Sequence, residues 1–343
     1  MENLELHKAL ESFEKAIDSF PASQNVTTFY SIEKLLSFRE HEIMSNFLGE
    51  DQLKKANRLI YKLQDAIAIC KTGNLEEGIH LFQSVKKNII GLSENATNYV
   101  NLYYLSGMAY YHYRSGNLKD ALDFTWEEIT KTEHLEAKGA ITLHVRRAGH
   151  ILNVVKILNS CKRIDETIRL SLGNTLYALN GNTDFMPVGH WNHTLLDFIP
   201  YIRQRFFDIC FLNTIEIIVE NQKKINYDDD YFFKHFYSQI PDFEVTNNNL
   251  AMIYNWLYIQ RLNREEHKKD YVLNAIEFCQ IDFDYTFDIL KLSLLPKIIE
   301  ILKSSSLKMD FKEIFISKTN NYVINKLQSK NKLKEKVCNL ILE

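Results

Sequence analysis

Residues that reverse the chain are scarce: 343 residues contain only 11 glycines and 5 prolines. Sandwiches and barrels need many tight turns, so this scarcity points away from them and toward long helices. Cysteine is also sparse. Cys70, Cys161, Cys210, Cys279 and Cys338 are odd in number, far apart and form no CxxC pair. That pattern excludes a disulfide framework and reads as reduced, buried thiols. No apolar run approaches the ~20 residues of a spanning helix, so no membrane partner is expected. The N-terminal "MENLELHKALESFEKAIDSF" has neither a basic leader nor an apolar core, so no signal peptide is expected and the cytoplasm is the expected location. The formal charge of −3 provides no global basic field for nucleic acid. P-loop, GxGxxG, GxSxG and HExxH signatures are all missing. With no converging acid–base pair or nucleophile, neither an enzyme nor a cofactor is expected.

What is present is helical periodicity. The composition is 45% hydrophobic and 25% charged, that of a folded chain. Apolar residues recur at helical spacing over 3–19, 28–47, 52–71, 75–90, 96–114, 118–132, 136–160, 163–179, 192–222, 228–238, 247–262, 265–279, 284–304, 310–327 and 330–342. Turn chemistry interrupts them at "KTGN" (71–74), "RSGN" (114–117), "NGNT" (180–183) and "DFEVTNNN" (242–249).

Two breaks share a pattern. "AIAICKTGNLEEGIHLF" (66–82) and "AYYHYRSGNLKDALDFT" (109–125) align without a gap. Each has a small residue (Ala66, Ala109), then Gly-Asn, then a second small residue (Gly78, Ala121). They resemble tetratricopeptide repeats, in which small residues let two helices approach and Gly-Asn makes a left-handed turn. Their 43-residue separation exceeds the usual ~34, so the repeats are degenerate. The expected fold is an all-α, right-handed α-solenoid of helical hairpins whose inner helices line a groove.

Gly173-Asn174 stands inside the segment "RIDETIRLSLGNTLYALNGN" (163–182). Arg163 and Asn174 are eleven residues apart, which is three turns with ~20° left over, so a single helix aims both the same way. Asn offers donors and an acceptor to an extended peptide, and Arg can hold a carboxylate. Gly173 would let another backbone come close. A tight helix crossing with Asn174 capping a neighbour accounts for the same residues. Farther on, Asn247 or Asn248 can cap a helix. Asp282, Asp284 and Asp288 can receive a cationic group of a ligand or stabilise a helix N-terminus.

"RIDETIRLSLGNTL", "ICFLNTIEIIVENQKKINYDDDYF" (209–232), "NNNLAMIYNWL" (247–257) and "ILKLSLLPKI" (289–298) occur in that order. With "EHEIMSNFLGEDQLKKANRLIYKLQDA" (40–66), they resemble the arbitrium receptors (AimR) of temperate phages over roughly 40–300. These are tetratricopeptide-like, peptide-sensing regulators of Gram-positive systems. The resemblance implies a homodimeric receptor for a short oligopeptide, acting on a lysis–lysogeny decision through DNA or a protein partner. It also implies peptide contacts at Arg163, Asn174 and Asn248, and at Asp284 by looser spacing. Family members begin with a helix-turn-helix domain, of which 16–35 carries only a trace. Residues 1–50 hold four basic and nine acidic side chains, the wrong sign for facing phosphate. The expected organisation is an N-terminal segment (1–50), a peptide-binding repeat domain (51–305) and C-terminal helices for capping or dimerisation (306–343).

The competing expectation is a protein–protein scaffold whose groove takes a partner's helix. His190 and His193 of "HWNH" have metal-ligand spacing but no third ligand, so no metal is expected. "YDDDY" (227–231) lacks the glycine and distal glutamate of a calcium loop.

Overall fold

The structure, a computed structural model, describes residues 2–22, 32–198, 202–221, 231–238, 248–282 and 284–342. Among them are fifteen α-helices and no β-strand. They are α1 (Glu2–Ala16), α2 (Ile32–Leu48), α3 (Glu50–Lys71), α4 (Leu75–Lys87), α5 (Glu94–Arg114), α6 (Leu118–Ala137), α7 (Leu143–Ser160) and α8 (Ile164–Asn180). They continue with α9 (Ile202–Glu220), α10 (Tyr231–Ser238), α11 (Asn248–Arg264), α12 (Lys268–Gln280), α13 (Asp288–Ser304), α14 (Met309–Asn325) and α15 (Asn331–Leu342). The chain is all-α, as its periodicity and lack of turn residues require.

Two compact units emerge: residues 30–211, and residues 1–29 with 212–343. These boundaries differ from those expected at 50 and 305. In the discontinuous unit, α1 packs on α12 and α14. Phe13 stacks on Phe315 at 5.3 Å, and Phe20 meets Tyr322 edge-on at 5.2 Å. Glu14 pairs with Lys318 at 2.7 Å. The apolar stripe Leu10, Phe13, Ile17, Phe20 is fully buried there, so the N-terminal helix belongs to the C-terminal core. Of the helix-turn-helix trace (16–35), residues 23–31 lie outside the described residues.

The continuous unit is built of helical hairpins. Asn74 and Asn117 are the N-caps of α4 and α6, each accepting from the backbone N–H three residues on and donating to the acid there (Glu77, Asp120). Before them Gly73 and Gly116 have φ of 98° and 83°. The same turn recurs where its sequence signature has faded. Lys162 has φ 63° and is followed by Arg163 at φ −85°, ψ 67°. In the other unit, Glu266 has φ 59° and is followed by His267 at φ −75°, ψ 62°. The backbone bond five residues back also repeats, from Asn117 to His112, Arg163 to Leu158 and His267 to Leu262. Arg163 therefore occupies the position that asparagine fills in the two recognisable repeats.

Candidate functional site

A cavity of about 860 Å³ opens within the continuous unit. Asn57, Tyr61 and Gln64 line it from α3, Tyr99, Tyr103 and Ser106 from α5, and Arg146, Gly149, His150 and Asn153 from α7. Glu40 and His41 of α2 and Phe206 and Ile209 of α9 complete the wall, while α4, α6 and α8 contribute nothing to it. The lining thus comes from the first helix of each hairpin.

Helix α7 has two polar faces. On one, Arg146, Gly149, His150 and Asn153 follow at i, i+3, i+4 and i+7 and face the cavity. Behind them stands Glu128 of α6, fully buried. Its Oε1 accepts from Ser106 at 2.6 Å and Arg146 at 3.0 Å, and His150 Nε2 lies 2.8 Å away. Burial alone would raise the Glu128 carboxyl, but His150 and Arg146 beside it outweigh burial and hold the carboxyl below its ordinary range. Asn153 donates to His150 Nδ1 at 3.2 Å, fixing the ring. The Arg146 guanidinium lies 3.8 Å from the Tyr103 ring centroid. The Tyr99 and Tyr103 hydroxyls both donate to Glu40 Oε1, at 3.0 and 3.4 Å. Burial pushes the Tyr103 hydroxyl up to about 12, so it stays a donor at neutral pH.

The opposite face of α7 anchors a loop. Arg147 is fully buried, 3.1 Å from Glu133 and 3.0 Å from Glu136. It donates to the His190 carbonyl and lies 4.1 Å from the Trp191 ring. His144 bridges Glu136, at 3.1 Å, and the Tyr177 hydroxyl. Together these pin residues 181–192 against α7 and α8. His190 is held here by its backbone, and the His193 ring lies against Gly181. Among the described residues no three His, Cys, Asp or Glu side chains converge on a metal position. The five cysteines are free thiols, and only Cys161 is not buried.

Arg163 and Asn174 do not share a polar face. Helix α8 begins at Ile164, so Arg163 lies in the preceding turn and the three-turn count from it does not apply. Its side chain is exposed and binds Glu166 through Nε at 2.7 Å and through Nη2 at 2.5 Å. Asn174 is fully buried and donates to Ala148 O and Cys210 Sγ, both at 3.4 Å. It is wedged between α7 and α9. Neither residue lines the cavity. The backbone that Gly173 admits belongs to this chain: a Cβ there would lie 2.6 Å from Phe185 O. In the other unit, Asn248 is the first residue of α11, and its side chain lies outside the described residues, as does Asn247. Asp284 caps the 3-10 turn Tyr285–Phe287, accepting from Thr286 N–H at 2.8 Å. Buried Asp288 accepts from Gln328 N–H at 2.7 Å.

Sequence reasoning missed Arg146, Gly149, His150 and Asn153. The signal was present: polar or bare positions at helical spacing within an otherwise apolar segment, "LHVRRAGHILNVV". Helical glycines add a second signal. Gly78 fits against Cys70, Gly107 against the Phe82 ring and Gly173 against Phe185, but a Cβ on Gly149 would meet nothing within 4 Å. Comparison with protein families, with curated proteins and with solved structures finds no match.

Proposed function

We propose that the chain is a receptor for a short, extended peptide bound along the cavity face of α7. The observation that carries this reading is Gly149. A glycine inside a helix costs about 1 kcal/mol relative to alanine. The other glycines inside helices are filled against by the protein itself, whereas Gly149 opens on the cavity. Bare backbone at that point suits the close approach of a guest's main chain. The surrounding groups suit the same guest: Asn57, Gln64 and Asn153 offer amide donors and acceptors, and the tyrosines offer flat, rigid surface. From Thr142 to Asn153 the α7 wall runs roughly 16 Å, the length of about five extended residues.

The resemblance to arbitrium receptors supports the same reading from an independent direction. It adds a homodimer in the cytoplasm whose conformation or association changes with peptide, biasing a lysis–lysogeny or related transcriptional decision. On the present geometry the guest's contacts fall on α3, α5 and α7 rather than on Arg163 and Asn174. Affinity selection of a hexapeptide library by the full chain, followed by calorimetry on the winners, tests this. Specific binders are expected, with Asn153→Ala weakening them about tenfold at an unchanged melting temperature. Failure to select any binder would refute the proposal. Light scattering with and without a selected peptide tests the dimer, and a monomeric mass in both states would refute it.

A further inference from the structure

The end of the cavity at the start of α7 holds donors that nothing in the protein uses. Thr142 is the N-cap of α7, where a threonine ordinarily accepts from a backbone N–H of the first turn. Here it makes no such bond. Its side chain is 5% exposed, lines the cavity, and its Oγ1 has no partner. One turn on, Arg146 spends only Nη2, on Ser106 at 2.9 Å and Glu128 at 3.0 Å. Its Nε is buried without a partner. The first turn of α7 carries no acidic residue of its own, while its Leu143 and His144 N–H groups donate to Ala140 O and Ile141 O.

An unpartnered hydroxyl and an unpartnered guanidinium Nε, one turn apart, thus stand at the N-terminus of a helix that lines the hollow. Buried donors left unpaired are costly, and the group that would satisfy them must bring acceptor oxygens and negative charge. A carboxylate has two acceptor oxygens and no donor, matching a hydroxyl beside a guanidinium edge. A lone amide carbonyl has one oxygen and no charge to engage the dipole. Glu40, on the same wall, accepts from the two tyrosine hydroxyls through its Oε1 and acts electrostatically on Arg146. Glu128, behind the wall, is shared by Arg146, His150 and Ser106.

We infer that Thr142 and Arg146, at the N-terminus of α7, form a carboxylate-binding site that receives the acidic end of the guest. This assignment rests on the peptide reading above and gives it a direction: the guest's carboxylate sits at Thr142, and its chain runs past Gly149 toward Asn153.

The test uses two hexapeptide libraries lacking Asp and Glu, identical except that one ends in a free carboxylate and the other in a carboxamide. Both are selected on the full chain at physiological salt. Binders are expected from the free-acid library, with amidation weakening each at least tenfold. Thr142→Val removes an unsatisfied hydroxyl at constant shape, so its melting temperature holds or rises. The variant is expected to bind free-acid peptides about tenfold more weakly. Arg146→Gln is a harsher check, because it strips Glu128 of a partner; its loss of binding counts only with helicity intact. Amidated binders as tight as free acids, indifferent to Thr142→Val, would overturn the carboxylate site and leave the peptide reading standing. No binder from either library would overturn both. Selecting a third, amidated library that contains Asp and Glu separates the sources: tight binding there identifies a side-chain carboxylate in place of the terminus and still supports the site.

Discussion

A Cβ on Gly173 would lie 2.6 Å from the carbonyl oxygen of Phe185 and 2.9 Å from its Cβ. Backbone cannot yield as the tip of a flexible side chain can. Gly173→Ala is therefore expected to cost about 1–3 kcal/mol, read by urea denaturation; an unchanged midpoint would contradict this packing. Asn174→Ala should also destabilise, because it empties a fully buried position between two helices. Arg163→Ala should leave the midpoint nearly where it is, since that side chain is solvated. Sequence showed that Gly173 lets a backbone approach but not which one. The approaching loop is positioned by Arg147, Glu133 and Trp191, which are distant in sequence and whose pairing has no local signature. The direction of Arg163 was misjudged for a local reason: one residue of helix start separates a cap from a first turn, and helix ends are the least sharply encoded part of a helix.

Among the helices, the hairpin turn connects sequence to structure most directly. Gly-Asn encodes it twice, and the same backbone persists with Lys162-Arg163 and Glu266-His267. A left-handed conformation at a lysine or glutamate costs roughly 1 kcal/mol. Lys162→Gly is expected to recover part of that and raise the melting temperature by about a degree; a fall would show that the Lys162 side chain contributes more than the strain. The repeats were legible where glycine was retained and illegible where tertiary packing of α7 on α8 alone enforces the turn. Apolar spacing puts the start of α7 at 136, seven residues early, because it continues through Leu135, Ala140 and Leu143 while the backbone turns at Gly139 (φ 113°). The contact of α6 with α7 also carries a pH dependence. Glu128 is held below its ordinary range in the folded state, so its contribution is present above the unfolded glutamate value of roughly 4.3 and is lost as the pH falls through the lower folded value. Glu128→Gln should flatten stability against pH below roughly 4, measured by denaturation at stepped pH; an unaltered acid limb would contradict this.

At the scale of the whole chain, the N-terminal helix and the C-terminal helices make one core. Leu10, Phe13, Ile17 and Phe20 are all at most 2% exposed, and burying four such side chains is worth on the order of 8 kcal/mol. Deleting residues 1–22 is expected to unfold the discontinuous unit, seen as loss of far-UV helicity beyond the deleted helix; a loss no larger than that helix would contradict it. Periodicity revealed the helices but not this closure, which joins residues some 300 positions apart and leaves no pattern in either segment alone. The cavity was hidden for a related reason. Its wall is assembled from five helices, and although its residues follow helical spacing on α3, α5 and α7, no single segment marks them as facing a common hollow. The central claim, that the α7 wall holds a peptide main chain, is tested most directly by Gly149→Ala, measured for melting temperature and for affinity toward a selected peptide. A filled helix position should raise the melting temperature, by up to about 1 kcal/mol of added stability, while the methyl group entering the cavity weakens binding at least tenfold. A more stable variant that binds as tightly as the original would contradict the claim.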